Sequence, residues 1–159
     1  MPNDRSLRDY VAQLLDWGNA HIKFEDAVKD FPTGLRGKRP NGAPHSAWEL
    51  LEHLRLALWD IYEFTVDASH VSPSFPDGYW PATPEPPSEA AWDESVSAYR
   101  ATLSKFAALV SDESVDLFAK IPHGDGQTVL REALLAADHN AYHLGQLVMV
   151  RRIGEGAGV

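Results

Sequence analysis

Apolar residues recur at intervals of three and four along four stretches of the chain, and this spacing predicts four amphipathic helices. The first predicted helix covers about residues 5 to 28. Its apolar row consists of Leu7, Tyr10, Leu14, Trp17, His21, Phe24 and Val28. Since His21 falls on this row, we expect it to be buried. A core histidine bonded to a carbonyl is favoured there over a further metal-site residue.

The second predicted helix begins after Ser46, because Ser46 and Glu49 have the spacing of a capping box. It runs to about residue 67, and its core row is Leu50, Leu54, Ala57, Ile61 and Phe64. Glu49, His53 and Asp60 share one flank at spacings of four and seven. Capping is the favoured role for Glu49, and binding a metal or orienting His53 are the alternatives.

A proline-rich segment, residues 67 to 88, separates the second and third predicted helices. Phe75, Tyr79 and Trp80 lie in it and predict an ordered connection anchored by aromatic side chains. An extended chain of this length reaches about twice as far as a helix of about twenty residues, so the two flanking helices can run parallel. Ser88 is the predicted cap of the third helix, which covers about 22 residues. Its apolar row is Trp92, Val96, Tyr99, Leu103, Phe106 and Val110.

A second long connection, residues 111 to 127, precedes the fourth predicted helix. His123 lies there beside turn-forming glycines, so exposure is favoured over an approach to a site. The fourth helix is predicted from about Thr128 to Arg152, with Gly154 as the stop. One face carries Leu130, Leu134, Ala137, Ala141, Leu144 and Val148, and the opposite side carries Leu135, His139, Tyr142, His143, Gln146, Leu147 and Val150. A helix apolar on both sides is expected to be covered on both.

These four helices predict an all-α four-helix bundle with long crossover loops, formed as a single domain over residues 1–159. The hydrophobic content of 44% and charged content of 23% are typical of a globular domain. A net charge of −9 without a basic run disfavours nucleic-acid binding. No leader pattern and no stretch of 18 apolar residues is recognisable, so we expect a cytoplasmic protein without a membrane partner.

His139 and His143 lie four residues apart in DHNAYHLGQL, which places both imidazoles on one helix face. Two such rings can share one ion, and His53 of the second helix is the candidate third ligand. Spacing alone does not pair the two helices, and by spacing alone packed core histidines are the favoured alternative. Three neutral nitrogens with an open coordination position are typical of a catalytic ion.

The chain contains no cysteine, so any transition metal must be held by nitrogen and oxygen, which suits zinc, nickel, iron or manganese. Asp138, Glu49 and Gln146 are candidates to orient the imidazoles. Tyr142 is favoured as a packing residue over an acid catalyst. The motif HNAYH has Asn140 where zinc proteases place a glutamate base, which disfavours that chemistry.

Three segments carry a resemblance to a known family: SAWELLEHLR with His53, DHNAYHLGQLVMVRR with His139 and His143, and HGDGQT before the fourth helix. Together they resemble the DinB-like (DinB/YfiT) superfamily over nearly the whole chain. The resemblance implies an up-down-down-up bundle, a divalent ion, most often nickel or zinc, on these three histidines, and a homodimer. Members with known activity include S-transferases that use low-molecular-weight thiols such as bacillithiol or mycothiol, and a mycothiol-dependent isomerase.

The expected function is therefore that of a metal-dependent enzyme with thiol S-transferase-like or hydrolase-like chemistry on a small molecule. One alternative is a non-catalytic metal-binding protein with a stress-response or small-ligand-binding role. Another is a structural helical dimer whose histidines only pack in the core. The fourth predicted helix, apolar on both sides, is the candidate dimer surface.

Overall fold

The computed structural model describes residues 2–16 and 18–156. Within these ranges the chain forms five α-helices and no β-strand. The helices are α1 (Pro2–Leu15), α2 (Phe24–Val28), α3 (Ala47–Val66), α4 (Glu89–Ser111) and α5 (Val129–Gly156), with short 3-10 helices at Thr33–Leu35 and Asp77–Tyr79. The predicted all-helical fold is confirmed.

The four long helices pack side by side around one apolar core. α3 contacts both α4 and α5, and α1 contacts the same two helices from the other side. The largest fully buried side chains are Trp92, Phe106, Leu50, Leu51, Leu54, Leu58, Leu117 and Leu147. Since α3 supplies four of these eight, it is the central helix of the core.

The start of α3 is fixed by the predicted capping box. The Ser46 hydroxyl accepts a hydrogen bond from the Glu49 backbone N–H at 3.2 Å, and the Glu49 carboxylate accepts one from the Ser46 N–H at 2.7 Å. Both bonds satisfy helix-end donors that have no partner within the helix. The Ser46 hydroxyl also donates to the Pro84 carbonyl at 2.6 Å, which ties the start of α3 to the segment that leads into α4.

The first predicted helix is wrong in its extent. α1 ends at Leu15, and residues 18–23 are not helical, because Gly18 and Asn19 are poor helix formers. The buried apolar residues in the described part of α1 are Val11 and Leu15, whereas the predicted core residue Tyr10 is 63% exposed and Leu14 is 38% exposed. Trp17, also placed on the predicted row, lies outside the described residues.

The predicted end of the last helix is also wrong. Gly154 lies inside α5, where a Cβ atom would approach a Leu35 methyl group to 3.2 Å, so glycine permits close packing rather than ending the helix. The predicted apolar row is only partly buried, since Leu134 and Ala141 are exposed. Neither α5 nor any other helix in the described part of the chain is long and apolar enough to cross a membrane.

The connection between α3 and α4 folds back onto α3. Tyr79 and Trp80 lie against this helix, in agreement with the predicted aromatic anchoring of the connection, and the 3-10 helix Asp77–Tyr79 contacts it. Phe75 is 87% exposed and does not anchor the connection. The connection between α3 and α4 therefore places two of its three aromatic residues, Tyr79 and Trp80, beside His53.

Candidate metal centre

Three imidazole rings meet where α3 packs against α5. His53 lies in the second turn of α3, and His139 and His143 face it from one side of α5. The Nε2 atom of His53 lies 3.1 Å from Nε2 of His143 and 3.1 Å from Nε2 of His139. All three ligand atoms lie within 4.8 Å of one another, so the group could hold a metal ion.

The separations suit a single ion of the transition series. Nitrogens about 2.1 Å from one ion, at angles between octahedral and tetrahedral, lie about 3.0 to 3.4 Å apart. The two separations of 3.1 Å involving His53 fall in this range. The distances alone thus allow His53 to share an ion with each of the α5 histidines.

The hydrogen bonds on the far side of two rings define which nitrogen carries the proton. His53 Nδ1 lies 3.0 Å from the Tyr79 carbonyl oxygen, and His143 Nδ1 lies 2.7 Å from the Gln146 side-chain oxygen. Both partners are acceptors, so each Nδ1 is the donor and each Nε2 has a free lone pair. Two lone pairs facing each other at 3.1 Å repel unless a cation lies between them. This donor set fits a divalent metal.

The three rings are uncharged at neutral pH. Burial lowers the pKa of His53 to about 4, an effect that the Tyr79 carbonyl only partly opposes. Burial, with further contributions from His143 and His53, lowers the pKa of His139 to about 3. Burial also lowers the pKa of His143, although the Gln146 hydrogen bond acts in the opposite direction. The neutral imidazole is the form that binds metals.

Trp80 covers one face of His53. The two rings stack with centroids 4.0 Å apart and planes 1° from parallel, and His45 stacks on the opposite face of Trp80 at 4.0 Å. The sequence analysis does not predict a role for His45, and it predicts Trp80 only as an aromatic anchor. The local sequence spacing does not predict this three-ring stack, because its residues lie before α3, in α3 and in the connection that follows α3.

Of the three residues predicted to orient the imidazole rings, only Gln146 contacts one of them. Gln146 contacts the His143 ring as predicted. Glu49 fills the capping role and pairs with Arg39 through two hydrogen bonds. Burial raises the pKa of Glu49, but the bonds from Arg39 and Ser46 outweigh it and leave that pKa below its usual value. Asp138 is exposed on α5.

Two other histidines considered from the sequence lie outside the cluster. His21 is exposed, contrary to the prediction, because the chain leaves the helix before reaching it; its Nδ1 contacts the Ile22 carbonyl at 2.8 Å. His123 is exposed in its turn, as predicted, and its Nε2 contacts the Phe64 carbonyl at 2.6 Å. The histidine cluster consists of His53, His139 and His143.

A groove of about 540 Å³ lies beside the histidine cluster, between α5 and residues 41–45. Tyr142, Gly145, Gln146 and Met149 line it on the α5 side, and His45 is also part of its lining. None of the described residues lining it is Asp, Glu, Lys or Arg. Gln146 connects the groove to the cluster, since the same side chain accepts the His143 hydrogen bond.

Fold and site together define a helical bundle with a candidate three-histidine metal centre between two of its helices. A family model described as the DinB superfamily matches residues 19–147. The chain belongs to the DinB superfamily, as the resemblance of its sequence segments predicted. No curated protein and no solved structure matches the chain in the comparisons made.

Proposed function

We propose that the protein is a metal-dependent enzyme whose divalent ion is bound by the Nε2 atoms of His53, His139 and His143. The observation that carries this proposal is the 3.1 Å separation between the Nε2 atoms of His53 and His143. A core histidine pair would normally place a proton between the two nitrogens. Here the Tyr79 carbonyl and the Gln146 side chain hold those protons on the opposite edges of the rings.

Nickel or zinc is the proposed ion, and iron or manganese would suit the same donors. Three protein nitrogens leave coordination positions open, and a bound divalent ion supplies Lewis acidity that lowers the pKa of a coordinated water or thiol. Trp80 keeps solvent from one face of His53. Since the chain has no cysteine, the sulfur nucleophile of a transfer reaction would come from a low-molecular-weight thiol cosubstrate.

The proposed reaction is thiol S-transferase-like or hydrolase-like and acts on a small molecule. The volume of the groove, about 540 Å³, is that of small-ligand sites, and its lining is mainly apolar. The same groove is the observation that favours the second candidate function, a non-catalytic metal-binding or small-ligand-binding protein. Turnover that is lost on chelation and restored by metal would distinguish the enzyme from the binder.

We also infer the up-down-down-up order of the helices from contacts between them. Arg8 in the middle of α1 donates to the Val110 carbonyl near the end of α4. Leu15 at the end of α1 lines the same small pocket as Tyr99, further back along α4, and the two positions together support an antiparallel pair. Tyr62 near the end of α3 packs against Phe106 in the last part of α4, which supports a parallel pair. The contact of His123 with Phe64, just before α5, supports antiparallel α3 and α5.

A homodimer is part of the proposal. Tyr142, Met149 and Ile153 are spaced along α5 and are respectively 64%, 53% and 42% exposed. Such an apolar stripe is typical of an interaction surface. A second copy packed on the stripe would close the open side of the groove. Sedimentation of the wild type and of Met149→Glu tests this, because a dimer that uses the stripe should dissociate in the variant.

Metal analysis tests the proposed centre. We expect about one divalent ion per chain in the purified wild type after loading, and loss of that ion in His53→Ala. His21→Ala is the matched control, since His21 is exposed and lies outside the cluster. A wild-type protein that takes up no ion, or that keeps it in His53→Ala, would contradict the proposal. Assays with thiols plus electrophiles and with hydrolase substrates then test for turnover.

A further inference from the structure

Asp60 lies on the same flank of α3 as His53, seven residues further along the helix. It is 8% exposed, although it is a carboxylate. Seven residues of helix correspond to about 10 Å, so Asp60 does not touch His53 directly. Its buried carboxylate needs hydrogen-bond donors from other segments, and both oxygens have one.

Both donors come from the crossover segment between α3 and α4. The Tyr79 hydroxyl donates to Asp60 Oδ2 at 2.6 Å, and His70 Nε2 contacts Asp60 Oδ1 at 2.7 Å. His70 also packs with its ring edge against Trp59 of α3. One carboxylate therefore fastens two points of the segment, nine residues apart, to the same helix.

Tyr79 is attached to α3 at both of its ends. Its hydroxyl bonds Asp60, and its backbone carbonyl accepts the Nδ1 proton of His53 at 3.0 Å. The side chain thus spans the distance between the two helix positions. Burial, together with the Asp60 hydrogen bond, raises the pKa of Tyr79 to about 12, so the hydroxyl keeps its proton at neutral pH.

Trp80, the residue after Tyr79, also contacts His53. Trp80 stacks flat on His53, with centroids 4.0 Å apart. The edge of the His53 ring is therefore held by the Tyr79 carbonyl, and its face is held by Trp80. Both groups belong to adjacent residues, so a shift at Tyr79 would move both contacts.

We propose that Asp60 is a positioning residue for the metal centre: by holding the Tyr79 hydroxyl, it fixes the carbonyl that orients His53 and keeps the proton on Nδ1. The inference rests on the proposed metal-binding function of His53. Hydrogen bonds to the outer nitrogen of a metal-binding histidine fix its tautomer and its direction, and their loss typically lowers metal affinity about 10- to 100-fold. In this protein Asp60 acts on His53 indirectly, through Tyr79.

Cobalt titration followed by visible absorption tests the proposal in the full chain. Tyr79→Phe removes a single oxygen atom, and Asp60→Asn keeps the size of the side chain. Both are expected to weaken cobalt binding about tenfold or more and to alter the absorption bands. The matched control is Asp67→Asn, which removes the charge of a carboxylate in the same connection. Asp67 accepts its hydrogen bonds from Ser69 and has none to His53. The cobalt affinity of this variant should stay within about twofold of wild type, because Asp67 has no hydrogen-bonded link to His53.

Nitrogen NMR of the histidine rings in the metal-free protein provides the second readout. We expect His53 to carry its proton on Nδ1 in the wild type and in Asp67→Asn, and to become a mixture of tautomers in Tyr79→Phe. A purely structural role for Asp60 would lower the melting temperature without changing tautomer or cobalt spectrum. Wild-type affinity, spectrum and tautomer in Tyr79→Phe would overturn the inference, even if Asp60→Asn fails to fold. If the wild type does not bind cobalt, the proposed function fails, and the tautomer measurement still decides whether Tyr79 orients His53.

Discussion

The Nε2 atoms of His53 and His143 face each other at 3.1 Å, while the Nδ1 atom of each ring contacts a hydrogen-bond acceptor. Neutral rings in this arrangement have no proton to share, so the contact is unfavourable by itself. Because burial lowers the pKa of His53 to about 4, protonation does not relieve it at neutral pH. The arrangement is stable when a cation is shared, and this is the physical basis of the proposed centre.

Metal binding should stabilise the fold. A ligand that binds only the native state at about 100 times its dissociation constant adds about 2.7 kcal/mol. Zinc is therefore expected to raise the thermal midpoint of the wild type by several degrees. Differential scanning fluorimetry with and without a chelator measures this. His53→Ala should lose the shift and His21→Ala should retain it, while equal shifts in both variants would count against the site.

The metal-free protein should lose stability as the pH falls from 7 to 5. The folded-state pKa values of His53 and His139, about 4 and about 3, lie below the ordinary value near 6.5, so the unfolded chain binds protons first. Stability thus rises with pH across this window, by on the order of 1 kcal/mol or more for each buried ring. Urea unfolding at pH 7, 6 and 5 tests the sign of this pH dependence. In a His139→Gln variant the free energy of unfolding should change less steeply with pH. An unchanged pH dependence would contradict the lowered pKa of His139.

The two serine caps should differ in their contribution to stability. Ser46 is fully buried and bonds both Glu49 and Pro84, whereas the Ser88 hydroxyl accepts one bond from the Ala91 N–H in an exposed position. Ser46→Ala is expected to cost about 2 kcal/mol and Ser88→Ala about 0.5 to 1 kcal/mol. Chemical denaturation of the two variants measures the difference. Equal costs would mean that the Pro84 bond adds nothing.

Two glycines of α5 should respond differently to alanine. A Cβ atom at Gly145 would meet no atom within 4 Å, so Gly145→Ala should stabilise the helix by about 0.5 to 1 kcal/mol. At Gly154 a Cβ atom would lie 3.2 Å from a Leu35 methyl group, and this crowding should cancel part of the gain. Thermal unfolding of both variants in the metal-free state is the measurement, and a larger gain at Gly154 would show that Leu35 moves aside freely.

Helix positions were predictable where local signals were strong. The Ser46 capping box set the start of α3, and the apolar row from Trp92 to Val110 set the extent of α4. The first helix was overextended because apolar spacing continues through residues 18–23, where Gly18 and Asn19 interrupt the helix. The position of Gly154 after the last apolar residues predicts a helix stop, whereas in the structure Gly154 lies inside α5 and allows close packing against Leu35.

The candidate site was predictable only in part. The spacing of His139 and His143 placed two rings on one face, but only the packing of α3 against α5 brings His53 to them. The stack of Trp80 and His45 depends on the path of the connection between α3 and α4, which apolar periodicity does not encode. Asp60 shared a flank with His53 in the sequence, yet its partners His70 and Tyr79 follow only from the fold.

Anomalous X-ray diffraction from zinc-loaded crystals tests the central claim most directly. The proposed function predicts one anomalous peak per chain, about 2.1 Å from the Nε2 atoms of His53, His139 and His143. A loaded crystal with no peak between these rings, or with zinc bound only by other side chains, would contradict it.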